Sequence, residues 1–137
     1  MAQPRINPGP GNLSPFTEKR KYLCVGTVTK GDVVTFSGTT GYSIAIGSNI
    51  LPPIGVAAET GGTGDWIDVV ISGFCNFLTC GTTDIDINDM LYATAAGDCD
   101  GIPYGTSVGV QGGGIFGMAL EAQASTTITA AHIFKRV

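Results

Sequence analysis

Gly105-Thr106-Ser107-Val108-Gly109 has the G-x-S-x-G spacing that holds a nucleophilic serine on a strained strand-to-helix turn. That turn works only where a strand feeds a helix in a large α/β sheet, and no run of helix formers follows Gly109. In a chain with 21 glycines the spacing reads as a chance match. His132 is the sole histidine, so any Ser–His–acid triad would have to use it, yet nothing in the sequence pairs it with Ser107. It falls on an alternating face with Ile128, Ala130 and Phe134 and reads as a structural residue.

Metal chemistry is weakly represented. Cys75 and Cys80 are five apart and Cys24 and Cys99 stand alone, which is not a zinc spacing. Each Cys reads as a small buried hydrophobe, with a disulfide formed after release into an oxidising medium as the minor alternative. Asp84-Ile85-Asp86-Ile87-Asn88-Asp89 starts like a calcium loop, but Asp89 stands where that loop needs Gly and Ala95 where it needs Glu. An EF-hand is excluded. A looser oxygen-ligand site for Ca²⁺ near Asp84 and Asp86 is the minor reading, and an acidic turn before a strand is the main one. Asp65, Asp68, Asp84 and Asp86 could form an acidic catalytic site, since paired carboxylates transfer protons and bind metals. Against an enzyme stand the single His and a body with no cation to hold a phosphate. Asn12-Leu13-Ser14 is a glycosylation sequon with meaning only in a secreted chain. No catalytic, cofactor-binding or metal-binding residue is assigned, and no cofactor is expected.

The elements that would position such groups follow from charge and texture. Between Gly31 and Phe134 the chain has ten acidic residues and no Lys or Arg. The basic residues are Arg5, Lys19, Arg20, Lys21 and Lys30 at the front and Lys135 and Arg136 at the back. Pro4, Pro8, Pro10 and Pro15 punctuate the front stretch and exclude helix and ladder pairing over most of it. Residues 1–21 are therefore predicted to be an extended basic arm, and residues 22–137 a β-rich domain. An acidic body repels a phosphate backbone, so no nucleic-acid partner is expected. Apolar runs such as Val69-Val70-Ile71 are too short to span a membrane, and no signal peptide is evident, so a soluble protein made in a cytoplasm is expected.

From Lys21 onward Thr, Val and Ile rise, Gly recurs and two-residue alternation appears. Strands are predicted at 22–29, 32–37, 42–46, 54–58, 65–72, 74–79, 90–94, 107–110, 115–121 and 128–135. The clearest is 65–72, with Ile67, Val69 and Ile71 on one face and Trp66, Asp68, Val70 and Ser72 on the other. Gly97-Asp98-Cys99-Asp100-Gly101 reads as a turn. Asn88–Ala96 and Met118–Ala124 also carry helix formers and could make one or two helical turns. Short strands with Gly-rich turns indicate an all-β sandwich or barrel.

Five pieces of this series, in order, resemble the small capsid decoration (cement, or head-stabilising) proteins of tailed bacteriophages. They are Gly31-Asp32-Val33-Val34, Pro53-Ile54-Gly55-Val56-Ala57, Gly64–Gly73, Asn88–Gly97 with Asn88 in place of the usual Gly, and Ile115–Ala122. The arm of residues 1–21 lies outside the shared pattern. The resemblance implies a small all-β fold, a β-barrel or β-tulip-like domain. It also implies a homotrimer on the capsid exterior of the virion, made in the host bacterial cytoplasm, that clamps neighbouring major capsid subunits after the head expands. No enzyme activity is implied. Clamping suits an arm that can add a strand to an exposed edge and insert apolar anchors. The arm's candidate capsid-binding residues are Ile6, Leu13 and Phe16 as anchors and Arg5, Lys19, Arg20 and Lys21 as charge partners. The alternative is another virion part, such as a head fibre or a tail or baseplate host-recognition module. Short length and the lack of fibre-like repeats argue against a fibre.

Overall fold

The computed structural model describes residues 17–47, 51–81, 85–94, 97–103, 114–122 and 128–137. The described residues are all β. The strands are β1 (Glu18–Cys24), β2 (Val33–Phe36), β3 (Ser43–Ile46), β4 (Pro53–Ala57), β5 (Trp66–Thr79), β6 (Met90–Ala93), β7 (Cys99–Ile102), β8 (Ile115–Ala119) and β9 (Ile128–Ile133). Neighbours run β1-β3-β2-β4-β5-β9-β8-β6-β7, and β1 also pairs with β5. That extra pairing closes β1, β3, β2, β4 and β5 into a five-stranded barrel. The remaining strands make a second sheet that hangs from the same β5.

β5 is long enough, at 14 residues, to serve both layers. Through Ser72 it pairs with β1, and from Gly73 onward with β9. Gly73 marks the change of partner and has φ 96°, a conformation that other L residues rarely adopt. Left-handed backbone at that point lets the strand bend out of the barrel without ending. The sequence places strands at 65–72 and 74–79 on either side of this glycine; they are one strand with a kink.

Alternation along β2, β4 and β5 feeds two cores. Val34, Ala57, Ile67, Val69 and Ile71 fill the barrel with Tyr22, Ile44 and Ile54. Their neighbours Val33, Val56 and Val70 point the other way and pack with Leu78, Ile85, Leu91, Phe116 and Ile133 under the second sheet. These three strands are buried on both faces, which is why Val33-Val34 and Val69-Val70-Ile71 are unbroken apolar runs. The two faces expected for 65–72 are as read, with Val70 covered by the second sheet.

Four differences from the sequence reading have local causes. β1 starts at Glu18, so the arm boundary expected at residue 21 falls inside a barrel strand. Exposed Lys19, Arg20 and Lys21 look like a solvated tail, but each is in register with β5, opposite Val70, Val69 and Asp68. The turn expected at 97–101 instead leads into β7, which pairs residue for residue with β6 from Ala93↔Cys99 to Met90↔Ile102. Neither helix-prone segment is helical where described: Met90–Ala93 and Ile115–Ala119 are neighbouring strands, and ladder pairing overrides propensity. Residues 105–109 and the strand expected at 107–110 lie outside the described residues.

Glycine at 31 is required twice over. Its φ is 96°, and a Cβ there would strike the Phe77 carbonyl oxygen and lie 2.6 Å from Thr79 Oγ1. Its N–H donates to the Ala57 carbonyl (2.9 Å) and its carbonyl accepts from Thr79 N–H (3.0 Å), so this turn ties β4 to the far end of β5. Asn88 has φ 73°. Asn tolerates that region, which accounts for its standing where the motif series carries Gly.

Candidate attachment surface

The basic residues are split between the two ends of the sequence, and the fold brings part of that set together. Glu18, at the start of β1, takes an ion pair from Lys135 just beyond β9 (3.0 Å) and another from Arg20 (3.3 Å). The Lys135 hydrogen bond holds the Glu18 carboxyl below its ordinary range. Further along β1, Lys21 meets Asp68 across the strand pair (3.1 Å) and Glu59 from the β4–β5 connection (3.6 Å). Asp68 raises the Lys21 pKa. Partial burial is the largest single influence on Asp68 and works to raise it, but the contacts with Lys21 and Glu59 together outweigh it and the net shift is downward. All of these groups are substantially exposed, and solvent screening leaves such pairs little weight in stability. Their effect is to fix the geometry of a charged edge.

Lys19 is exposed and makes no ion pair among the described residues, and its charge contributes to lowering Asp68. Arg136 is exposed and donates to the Ile115 carbonyl (2.6 Å). It also borders a cleft of about 380 Å³ lined by Thr35, Phe36, Leu51, Pro52, Pro53 and Val137. Phe36 meets Tyr22 edge to face there (5.8 Å between centroids). Chain entry, chain exit and an apolar cleft are thus gathered about β1 and the segment after β9. Thr17 anchors the entry, its hydroxyl donating to the Phe74 carbonyl (3.0 Å).

On β5, Trp66 stacks on Tyr42 (5.7 Å, 23°), and both rings are about half exposed, at 52% and 49%. Backbone pairing holds the rings in place, through Leu23 opposite Trp66 and Leu23 N–H bonded to the Tyr42 carbonyl (2.8 Å).

Of the residues predicted to bind a capsid, the structure places Lys19, Arg20 and Lys21 on one strand. Arg5, Ile6, Leu13 and Phe16 lie outside the described residues. The sequence reading missed Lys135 and Arg136 as members of the same surface. The signal was present in the confinement of basic residues to the two ends, but only the Glu18–Lys135 contact makes those ends neighbours.

The acidic-site candidates do not converge. Asp65 accepts from Gly62 N–H (2.8 Å) in a turn, and Asp68 is committed to Lys21. Asp84 lies outside the described residues. Asp86 donates its backbone N–H to the buried Asp89 carboxylate (3.0 Å), which makes this segment a self-bonded acidic turn. Among the described residues no group of His, Cys, Asp and Glu has the arrangement of a metal site. His132 is exposed at the β9 surface and stacks edge-on to Phe134 (5.6 Å).

The chain has the fold of a phage head-fibre base. One similar solved structure is the N base of the head fibre gp8.5 of bacteriophage phi29, with a TM-score of 0.62 at 15% identity over 87% of this chain and 95% of that one. At that identity the likeness establishes the fold. No protein-family model matches the chain, and no curated protein matches its sequence. The decoration-protein resemblance therefore rests on its five motif pieces. Three of them carry residues with defined structural work in this fold: Gly31, Gly73 at the end of the β5 motif, and Asn88.

Proposed function

We propose that this protein is a structural component of a bacteriophage virion, carried on the outside of the head, with no catalytic role. The observation that carries the reading is the match of 87% of this chain to a head-fibre base, over 95% of that base's solved chain. Commitment of Asp65, Asp68 and Asp86 to separate turns and an ion pair supports a non-enzymatic role.

At finer grain, we propose that the protein cements the head by binding across neighbouring major capsid subunits of the expanded shell as a homotrimer. The charged edge at β1 sits where residues 1–16 enter the barrel, so it is suited to contact the shell together with them. Arg5, Ile6, Leu13 and Phe16 would extend along a capsid subunit while Lys19 meets acidic groups on it. Arg20 and Lys21 already have partners within the chain and would serve by holding the edge in shape. Ordering the arm costs about 1–2 kcal/mol per residue in backbone entropy, so it requires a large complementary surface. Binding several subunits at once makes separation break many contacts together.

The fold match favours one specific second reading: that the domain is the base of a head fibre, whose distal part lies elsewhere. Co-sedimentation with expanded and unexpanded heads tests the first reading, with selective binding to expanded heads expected. Equal or absent binding to both would refute cementing. Removal of residues 1–16 should weaken attachment while β-sheet circular dichroism is kept. Electron microscopy of decorated heads separates the two readings, since a cement trimer bridges subunits flush with the shell and a fibre base supports projecting density.

A further inference from the structure

Among the described residues, the second sheet closes on its β7 side around one pair of cysteines. Cys80, just past β5, and Cys99, the first residue of β7, form an isolated parallel bridge, and Gly81 N–H donates to the Cys99 carbonyl (2.6 Å). These contacts join the last strand of the β5-β9-β8-β6-β7 run back to its first. Adjacent strands lie about 4.8 Å apart, inside the Cα separations of roughly 4.4–6.8 Å that a disulfide spans. Both cysteines are buried in the second core.

We propose that Cys80 and Cys99 are an oxidation site, forming a disulfide that closes the second sheet covalently once the protein leaves the reducing interior of the cell. The oxidant is a small peroxide, for which hydrogen peroxide is the probe. The Cys80 thiolate attacks one peroxide oxygen, and the O–O bond breaks. One oxygen stays on sulfur as a sulfenic acid, and the other leaves as hydroxide and takes up a proton to become water. Cys99 sulfur then attacks Cys80 sulfur, the S–S bond forms, and the sulfenic oxygen leaves as a second water with the Cys99 proton. Two thiols are oxidised by two electrons and one peroxide is reduced.

The four cysteines differ in a way that makes this pairing selective. Hydrogen bonding from Cys99 holds Cys80 below the ordinary thiol value, while the same contact pushes Cys99 up. Burial raises Cys24, and it pushes Cys75 up to about 12. The contact between them favours a thiolate in the Cys80–Cys99 pair, while burial holds Cys24 and Cys75 protonated, so this pair is where oxidation starts. Cys24 belongs to the barrel core. Cys75 is five residues up the same strand from Cys80, about 16 Å away at 3.3 Å per residue, beyond disulfide reach. Cys99 is the partner left within reach.

The test uses the full-length chain, reduced, freed of reductant, exposed to hydrogen peroxide and then alkylated under denaturing conditions. With no Lys or Arg between Gly31 and Phe134, trypsin leaves Cys75, Cys80 and Cys99 in one peptide, so chymotrypsin is used to cut at Phe77 or Leu78 and at Leu91 or Tyr92. The expected product is a Cys80–Cys99 cross-linked peptide pair. It should come with a Tm raised by roughly 10 °C, as for a closed loop of this length, and reversed by dithiothreitol. In Cys99→Ala, dimedone should label Cys80 and the Tm gain should vanish. Peroxide treatment that leaves four free thiols, links a different pair, or carries wild-type Cys80 to sulfinic acid without a cross-link would overturn the proposal. Because the readout needs no capsid, its failure is distinct from failure of the attachment reading.

Discussion

The barrel and the second sheet share β5 but are closed by different means. β1 joins β5 through a ladder running from Glu18↔Ser72 to Leu23↔Trp66, so the barrel has no open edge at that seam. The second sheet joins β5 on one side through the β9 ladder, and on its β7 side the contacts back to β5 among the described residues are the Cys80↔Cys99 bridge and the Gly81 amide. Its stability rests on side chains: Leu78, Leu91, Phe116 and Ile133 pack against Val33, Val56 and Val70 on the outside of the barrel. A layer closed by a ladder is hard to open locally, whereas one whose last strand is tied back by a single bridge opens from that side. The barrel is thus suited to be the fixed frame that presents β1 and its charges, with the second sheet as a cover whose closure depends on packing.

The largest expected effect comes from that cover. Phe116→Ala should cost about 4 kcal/mol in urea unfolding, because a fully buried ring leaves a cavity. Hydrogen exchange should accelerate in β6, β7 and β8 more than in β1 and β3. Uniform acceleration would mean that the two layers open together. Gly31→Ala attacks the joint itself and should cost about 3 kcal/mol, through a left-handed backbone and contact with the Phe77 carbonyl. Both layers should loosen in that variant, and a thermal melt with unchanged midpoint would refute the joint.

Trp66→Ala removes a half-exposed stacked ring from the outer barrel surface. A loss of about 1 kcal/mol is expected, with no change in exchange of the second sheet. Lys21→Ala should have the smallest effect, a slight drop in melting midpoint at neutral pH, because its ion pairs are solvent-screened. Here the sign with pH is informative. Asp68 is lowered in the folded state, so its contribution is full above the ordinary carboxylate range and is lost as pH falls through the lower folded value. Lys21 is raised, so its contribution holds below the ordinary lysine value and is lost only as pH rises through the higher folded one. Wild type and Lys21→Ala should therefore differ in midpoint between about pH 5 and 9 and converge in acid, once Asp68 is protonated in the folded state. A difference persisting in acid would mean that Lys21 acts by packing its stem.

Much of this was legible in the residues. Period-two alternation placed the strands around Val34, Val56, Val69 and Ile133, and Gly spacing placed most of the turns. The blind points are instructive. β7 was hidden because Cys99-Asp100-Gly101 is turn-like in composition and becomes a strand only when β6 offers it a ladder. The first part of β1, Glu18–Lys21, was hidden because a strand that exposes three consecutive cations has the composition of a tail. Asp65, Asp68 and Asp86 looked like members of one set in the sequence, and each is committed to a different local contact.

The sequence by itself determined the all-β class, the inward and outward faces of β5 and the segregation of basic residues to the chain ends, since each is a local property of residue type and order. Tertiary structure alone decided that β5 serves two layers, that Lys135 meets Glu18, and that Cys80 faces Cys99. Those are pairings between distant segments, chosen by which strands share edges and which faces can be buried together, and no local pattern encodes that choice.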